Sequence, residues 1–200
     1  MEHRLPVLMG RRLLLREPTP ADGERLFEYT SDPLVTQYLA FDGARSLDDT
    51  LQFIARCEEY RLQDREYVFV IADRVTDEPR GAVGLRDLDR RTKVAQVGTW
   101  VRRQDWGRGV NTEAKALVLD YAFDQLELHR VEARIALPNQ RSRRAFERLG
   151  ARREGTLRES LFKNGAFLDQ ALYAILVTEW RERGGGAALL AGLTEEAPDV

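Results

Sequence analysis

The feature that most constrains the fold of this chain is a glycine turn that opens directly into a helix. Residues 104–115 read QDWGRGVNTEAK, with Gly107 and Gly109 two positions apart, and apolar residues then recur at three- and four-residue spacing. Strand-like runs flank this segment at about 94–102 and 129–137. A strand, a helix and a second strand in this order form a crossover unit, so we expect the two strands to be parallel.

The chemistry of this turn suits an anion. The N–H groups of the first helical turn lack intrahelical acceptors, and the helix dipole makes this end positive. Gly107 and Gly109 have no side chains, so a phosphate can approach the backbone. The segment lacks the GxxxxGK[ST] pattern of nucleoside-triphosphate loops, and Thr112 stands where a dinucleotide-binding GxGxxG has its third glycine.

The remaining elements predict a mixed α/β domain. Further strand-like runs lie at 11–17, 67–72, 80–88, 155–162 and 169–177. Residues with helix-capping side chains precede four helical patterns, at Thr19, Asp32, Ser46 and Asn139. Gly150 follows the last of these patterns as a C-terminal cap, and Asn164-Gly165 predicts a hairpin turn. Gly98 interrupts its strand, which favours a bulge there.

Composition excludes several function classes. The chain has 200 residues, of which 43% are hydrophobic and 32% are charged, as in a single soluble domain without a membrane span. Cys57 is the lone cysteine, so with His3 and His129 it makes a poor metal set, and we expect no metal. The start of the chain does not read as an export signal, so we expect a cytoplasmic protein. A net charge of −2 indicates no nucleic-acid partner.

Charge is nevertheless concentrated in one segment. Residues 139–153 read NQRSRRAFERLGARR and carry six arginines against one glutamate, a local charge of +5. Such a segment is either a solvated helix face or part of an anion site. Charge alone does not decide between these two interpretations.

These motifs together resemble one enzyme family. Gln104-x-x-Gly107-x-Gly109 resembles the Q/R-x-x-G-x-G/A signature of the GNAT acetyltransferases, and the Asn-x-x-Ser at 139–142 matches the same pattern. The closing stretch at 154–180, EGTLRESLFKNGAFLDQALYAILVTEW, resembles the RimJ/RimL branch, which acetylates protein N-terminal amines. The resemblance covers roughly residues 8–180. We therefore expect one GNAT domain over 1–183 and a glycine-hinged tail over 184–200.

The resemblance implies a fold and a ligand. The GNAT fold has a central, twisted, mostly antiparallel sheet of about six or seven strands, flanked by helices. One parallel pair, here about 94–102 and 129–137, splays apart to hold acetyl-CoA. The residues that the family pattern assigns to acetyl-CoA are Trp100, Val101, Gln104, Gly107, Arg108, Gly109, Val110, Asn111, Asn139, Ser142 and Arg143. Arg144 is a further candidate for the phosphates.

The resemblance also implies the reaction, in which an amine attacks the thioester directly in a ternary complex. Ser142 is the residue that the family pattern nominates to protonate the departing thiolate. The base is less evident: Glu159 is a weak candidate in the strand after the helix, with Asp169 and Tyr173 as further inward candidates. Gln96 stands where many relatives have an acid. A water relay is an alternative, because an α-amine of pKa about 7.7–8.0 is partly neutral already at pH 7.

The expected function is N-acetyl transfer to a primary amine, on a protein N-terminus or another α-amine. Two alternatives stay open at this point: a small-molecule amine such as an antibiotic, a polyamine or an amino-acid conjugate, and a non-catalytic CoA-binding module. The expected partner is the amine acceptor, and the protein is expected to be a monomer or a homodimer.

Overall fold

A computed structural model describes residues 4–192, which form one eight-stranded sheet with helices on its faces. The strands are β1 (Leu8–Met9), β2 (Leu13–Arg16), β3 (Tyr67–Asp73), β4 (Pro79–Asp89), β5 (Val94–Val101), β6 (Arg130–Ala136), β7 (Arg152–Lys163) and β8 (Ala166–Leu176). The helices are α1 (Gly23–Thr30), α2 (Pro33–Thr36), α3 (Leu47–Leu62), α4 (Val110–Asp120), α5 (Gln140–Arg148), α6 (Val177–Glu182) and α7 (Gly185–Gly192).

The sheet order is β1-β2-β3-β4-β5-β6-β8-β7, and neighbouring strands are antiparallel except for β5 and β6. The predicted parallel pair is therefore confirmed. Helix α4 connects β5 to β6 and is buried along most of its length, with Ala114, Ala116, Val118 and Leu119 fully enclosed. Burying this apolar helix against the sheet is what places its N-terminus at the end of β5.

Several local signals are confirmed by the backbone geometry. The Ser46 hydroxyl accepts from the N–H of Asp49 at 3.2 Å while the Asp49 carboxylate accepts from the N–H of Ser46 at 3.0 Å, which is the capping box at the start of α3. Asn164 and Gly165 both have positive φ, 52° and 80°, as a two-residue hairpin turn between β7 and β8 requires.

Two details of the prediction are wrong. The sheet has eight strands instead of six or seven, because the two-residue β1 is too short for alternation to reveal it. The β4–β5 register is also continuous past Gly98, which pairs with Gly84, so no bulge lies there. A Cβ at Gly98 would meet no atom within 4 Å, so this glycine borders open space instead.

The C-terminal part of the described chain is helical and packed. Helix α7 lies against α4, where the N–H of Gly186 donates to Asp120 Oδ1 at 2.9 Å and Leu189 and Leu190 pack on the core. Of the predicted tail at 184–200, residues 193–200 lie outside the described part of the chain. Among residues 4–192 there is no helix with the length and apolar character that crossing a membrane requires.

Candidate active site at the splayed strands

Strands β5 and β6 separate partway along their length. Their pairing stops at Gln96 and Glu132, although β5 continues to Val101 and β6 to Ala136. A cleft of about 210 Å³ opens between them, which we call the wedge. Among the residues that line it are Val97, Thr99, Trp100, Ile135, Asn139 and Ser142. The parallel pair thus provides unpaired strand backbone facing a space that a ligand can enter.

The direction of the β5 backbone decides which groups face the wedge. The N–H of Arg102 donates to the carbonyl of Arg80 at 2.8 Å, on the β4 side. Hydrogen-bonded and non-hydrogen-bonded pairs alternate along an antiparallel ladder, so Trp100 also directs its backbone toward β4, opposite Ala82. Val101 directs its backbone toward the wedge. Trp100, which the family pattern assigned through its backbone, therefore lines the wedge although its backbone groups face β4.

By the same alternation, Thr99 joins Val101 in presenting backbone groups to the wedge. A small pocket of about 70 Å³ adjoins the wedge and shares Thr99, Trp100, Asn139 and Ser142 with its lining, and we call it the wedge mouth. The carbonyl of Val101 accepts from Trp106 Nε1 at 2.8 Å, which fixes this indole in the lining of the mouth. The Arg141 guanidinium stacks over this indole at 3.4 Å from its centroid. Trp106 and Arg141 thus form one wall of the mouth, a role that the sequence did not indicate for either.

The glycine turn has the geometry that the sequence predicts. Gly107 and Gly109 have φ of 74° and 72°, a left-handed conformation that favours glycine, and α4 begins immediately after at Val110. The first N–H groups of α4 thereby point out of the helix end, as an anion site requires. Arg108 is exposed beside them.

A buried network holds this turn in place. Asp105 Oδ2 accepts from Arg102 Nε at 2.6 Å, and the carbonyl of Asp105 accepts from the N–H of Arg108 at 3.3 Å. With its amide oxygen turned to face Arg102, Gln104 accepts from the guanidinium at 2.8 Å. The signature glutamine therefore braces the turn from outside.

The start of α5 supplies the other side of the wedge. Asn139 Oδ1 accepts from the N–H of Ser142 at 3.1 Å, which confirms the predicted helix cap. This cap turns both side chains toward the wedge, whose lining includes Asn139 and Ser142. Both are half-buried, so a ligand in the wedge can contact them.

Two of the buried polar atoms that lack partners lie at the wedge mouth. Within residues 4–192, Thr99 Oγ1 and Asn111 Oδ1 are buried without a hydrogen bond. Buried polar atoms in folded proteins are normally paired, so these two indicate where a bound molecule would complete the site. Both lie beside Ser142 and Trp106 at the wedge mouth.

The predicted arginine ligands are not all directed toward the wedge. Arg143 lies against Tyr173, whose hydroxyl donates to Glu147. Burial and that hydrogen bond raise the pKa of Tyr173, and the nearby Arg143 charge partly offsets the rise. Arg143 therefore supports the packing of α5 on β8. Arg144 is exposed on the same helix.

The predicted base candidates lie away from the wedge. Glu159 is exposed on a bulge of β7 with φ of 50°, and its N–H donates to Asp169 Oδ1 at 2.8 Å. Tyr173 is fully buried beneath α5, and Gln96 Nε2 donates to Asp87 Oδ2 at 2.8 Å. The bulge turns Glu159 outward, which strand alternation alone does not reveal.

A second cleft adjoins the wedge. It has about 480 Å³ and lies between α1, α3 and the segment 41–45, and we call it the helical cleft. Four residues line both clefts: Phe41, Phe53, Glu66 and Trp100. Burial raises the pKa of Cys57 on its wall to about 12, so this thiol stays protonated. No group of metal-ligating residues was found among residues 4–192.

Comparisons with known proteins match this architecture. The family model described as "Acetyltransferase (GNAT) domain" matches residues 12–152. The uncharacterized N-acetyltransferase p20 of Bacillus licheniformis is 29% identical over 176 residues, which are 88% of this chain and 99% of p20. The ribosomal-protein-serine acetyltransferase of Escherichia coli is 26% identical over 116 residues, 58% of this chain and 65% of that protein. A GNAT-family acetyltransferase structure from Bacillus anthracis has a TM-score of 0.77 at 25% identity, covering 86% of this chain and 99% of the other.

Proposed function

The chain belongs to the acetyltransferase (GNAT) family, and on that premise we propose that it transfers acetyl from acetyl-CoA to the α-amine of a peptide or amino-acid-like molecule. The observation that carries the proposal is the junction of the two clefts at Phe41, Phe53, Glu66 and Trp100. A thioester in the wedge and an amine in the helical cleft would meet there. Direct attack in a ternary complex follows, because each substrate has its own cleft.

The residues of the wedge fit acetyl-CoA, which supplies the activated acetyl thioester when bound. The amides of Gly107, Gly109, Val110 and Asn111 would hold the pyrophosphate at the start of α4, with the exposed side chain of Arg108 beside them, since the N–H of Arg108 already donates to Asp105. The wedge-facing backbone of Thr99 and Val101, with the side chain of Asn139, would hold the pantetheine arm. The unpartnered Thr99 Oγ1 and Asn111 Oδ1 support this fit, because the amide groups of pantetheine can hydrogen-bond to them.

The lining of the helical cleft favours one amine on an apolar body. Its walls are largely aromatic and aliphatic, with Leu26, Phe41, Phe53, Tyr60 and Trp100. Its charged lining is three carboxylates, Asp42, Asp49 and Glu66, against two guanidinium groups, Arg45 and Arg56. Asp42 is moreover paired with Lys163 at 3.0 Å. This near balance suits a single ammonium group better than a polyamine, which needs several unpaired carboxylates.

The choice of an α-amine follows from its proton affinity. An α-amine of pKa about 7.8 is neutral in roughly 1 in 7 molecules at pH 7, whereas a lysine amine of pKa about 10.4 is neutral in roughly 1 in 2,500. General-base help supplies only about 10²–10⁴-fold, so the easier amine is the better substrate. The closing strands, similar to those of the RimJ/RimL branch, and the E. coli relative named as a ribosomal-protein-serine acetyltransferase support a protein N-terminus.

Different groups of the chain would then carry out the separate steps of acetyl transfer. The wedge-facing N–H of Thr99 or Val101 stabilises the oxygen of the attacked carbonyl. Ser142 donates a proton to the departing sulfur, from its position at the cap of α5. The four shared residues hold the amine against the thioester and exclude water from the junction.

The test is thiol release with two matched peptides. One has a free N-terminus and no lysine, and the other has a blocked N-terminus and one lysine. We expect faster release with the free N-terminus. Faster thiol release with the blocked lysine peptide would overturn the preference for an α-amine. No thiol release with either peptide would overturn the assignment of a peptide as acceptor. Acetyl-CoA binding without release on any amine would leave a non-catalytic module.

A further inference from the structure

We propose that Glu66 is the catalytic base that takes the proton from the attacking amine. This inference rests on the proposed function and names a residue of that same site. Of the four side chains that line both the wedge and the helical cleft, Glu66 alone is ionisable. The other three, Phe41, Phe53 and Trp100, can shape the junction but cannot accept a proton.

The position of Glu66 in the chain explains why it reaches the junction. It stands between α3 and β3, where its N–H approaches the carbonyl of Tyr60 at 3.5 Å. Strand β3 then runs into the middle of the sheet beside β4. Glu66 is thus held at the sheet end that faces both clefts, between the helix that forms one cleft and the strands that lead to the other.

The environment of Glu66 suits a proton acceptor. The side chain is half-buried, and within residues 4–192 no hydrogen bond engages its carboxylate. Burial raises the pKa of Glu66 above its ordinary value. The charged and titratable groups that face it are Arg86 and Asp87 on β4, Arg56 and Cys57 on α3, and the adjacent Arg65. The charges of Arg86, Arg65 and Arg56 oppose the rise in the pKa of Glu66, whereas the charge of Asp87 adds to it.

The proton step balances without any further reactant. The ammonium form of the acceptor gives one proton to Glu66, and the freed nitrogen lone pair forms a bond to the thioester carbonyl carbon. The carbon–sulfur bond breaks, the sulfur leaves with its electron pair, and the second nitrogen proton reaches the sulfur through Ser142. Glu66 then releases its proton to solvent. The products are the acetylated amine, the CoA thiol and one proton.

The experiment compares Glu66→Gln with Glu59→Gln, which changes an exposed carboxylate on α3. Both are measured on whichever of the two matched peptides the wild type uses faster. We expect Glu66→Gln to lower kcat by about 100-fold near pH 7, as loss of a general base does. The loss should shrink toward pH 9, where the amine itself deprotonates, and Glu66→Asp should retain part of the activity. Glu59→Gln should match the wild type.

Acetyl-CoA affinity, measured by calorimetric titration, separates catalysis from folding. We expect the acetyl-CoA affinity of Glu66→Gln to stay within about twofold of wild type, because glutamine keeps the size and shape of the one wedge-lining side chain that changes. A kcat within about threefold of wild type with an unchanged acid limb of the pH profile would overturn the proposal. Faster turnover of the lysine peptide would overturn the α-amine assignment alone, because the Glu66 comparison is valid on either amine.

Discussion

The carboxylate of Glu113 accepts a hydrogen bond from the backbone N–H of Arg12 at 2.8 Å, across 101 positions of the chain. It also accepts from Arg12 Nε at 3.2 Å and from the N–H of Leu13 at 3.2 Å. Glu113 is 1% exposed and lies in the first turn of α4. This carboxylate therefore ties the start of α4, which follows the glycine turn, to the start of β2.

Replacing Glu113 by alanine is expected to destabilise the fold. The change leaves two backbone N–H groups and a guanidinium without their acceptor, so we expect a loss of about 2–4 kcal/mol in the free energy of unfolding. Urea unfolding measures this loss. Glu113→Gln keeps one acceptor oxygen and should lose less. Equal urea midpoints for Glu113→Ala and wild type would contradict the claim that the hydrogen bonds of Glu113 stabilise the fold.

Replacing Gly109 by valine is expected to abolish tight acetyl-CoA binding. Its φ of 72° strains any side chain, and a Cβ would lie 3.1 Å from Arg12 Nη2, beside the amides that we propose to bind phosphate. We expect affinity to fall by about tenfold or more, which is about 1.4 kcal/mol. Gly165→Val is the matched control, because Gly165 has φ of 80° at the hairpin tip with no atom within 4 Å of its Cβ. Calorimetric titration should show normal affinity for this control.

Removing the Ser142 hydroxyl is expected to slow turnover while binding is kept. Ser142→Ala retains the backbone N–H that Asn139 caps, so α5 should be unaffected. We expect kcat to fall by about tenfold or more with little change in acetyl-CoA affinity, as for a group that acts in the transition state. Asn139→Ala should instead cost about 1 kcal/mol of stability. Unchanged single-turnover rates in Ser142→Ala would remove Ser142 from the mechanism.

Lys163 is expected to control the acceptor side of the site. Its buried Nζ donates to the carbonyl of Phe41 at 2.6 Å and to Asp42 Oδ1 at 3.0 Å, so the β7–β8 hairpin holds the segment that lines the helical cleft. Lys163→Met should raise the acceptor KM by about fivefold while the acetyl-CoA KM stays near wild type. Steady-state kinetics with both substrates varied measures the two KM values separately. A change in the acetyl-CoA KM alone would contradict this role.

The titration of Glu66 is expected to make the stability of the protein depend on pH. Because burial raises its pKa above the ordinary 4.5, the folded state holds this proton more tightly than the unfolded state. The resulting stabilisation is present below the ordinary pKa and is lost as the pH rises through the raised one. Glu66→Gln does not titrate, so its Tm should rise relative to wild type between about pH 4 and pH 8. A constant difference in Tm across this range would show that Glu66 does not titrate differently in the folded state.

Much of the fold could be predicted because it depends on neighbours in the chain. The caps at Asp32, Ser46 and Asn139 join residues two to three positions apart, so their chemistry is visible in the sequence. The crossover unit follows from the order of its elements. The sequence does not predict β1, because a strand of two residues has no periodic pattern. It also does not reveal the role of Gly98, because a bulge and an open cleft can each place a glycine within a strand.

The same distinction, between features set by neighbours in the chain and features set by distant contacts, applies to the site. By itself the sequence determined the glycine turn, the cap at Asn139 and the parallel strands around them, since each rests on local backbone and side-chain chemistry. Only the tertiary structure decided that Glu66 meets the wedge, that Glu159 turns outward and that Arg143 packs against Tyr173. Those outcomes depend on where distant segments pack and which side chains they bury. Burial and long-range contact also raise the pKa of Glu66, a change that its neighbours in the sequence could not reveal.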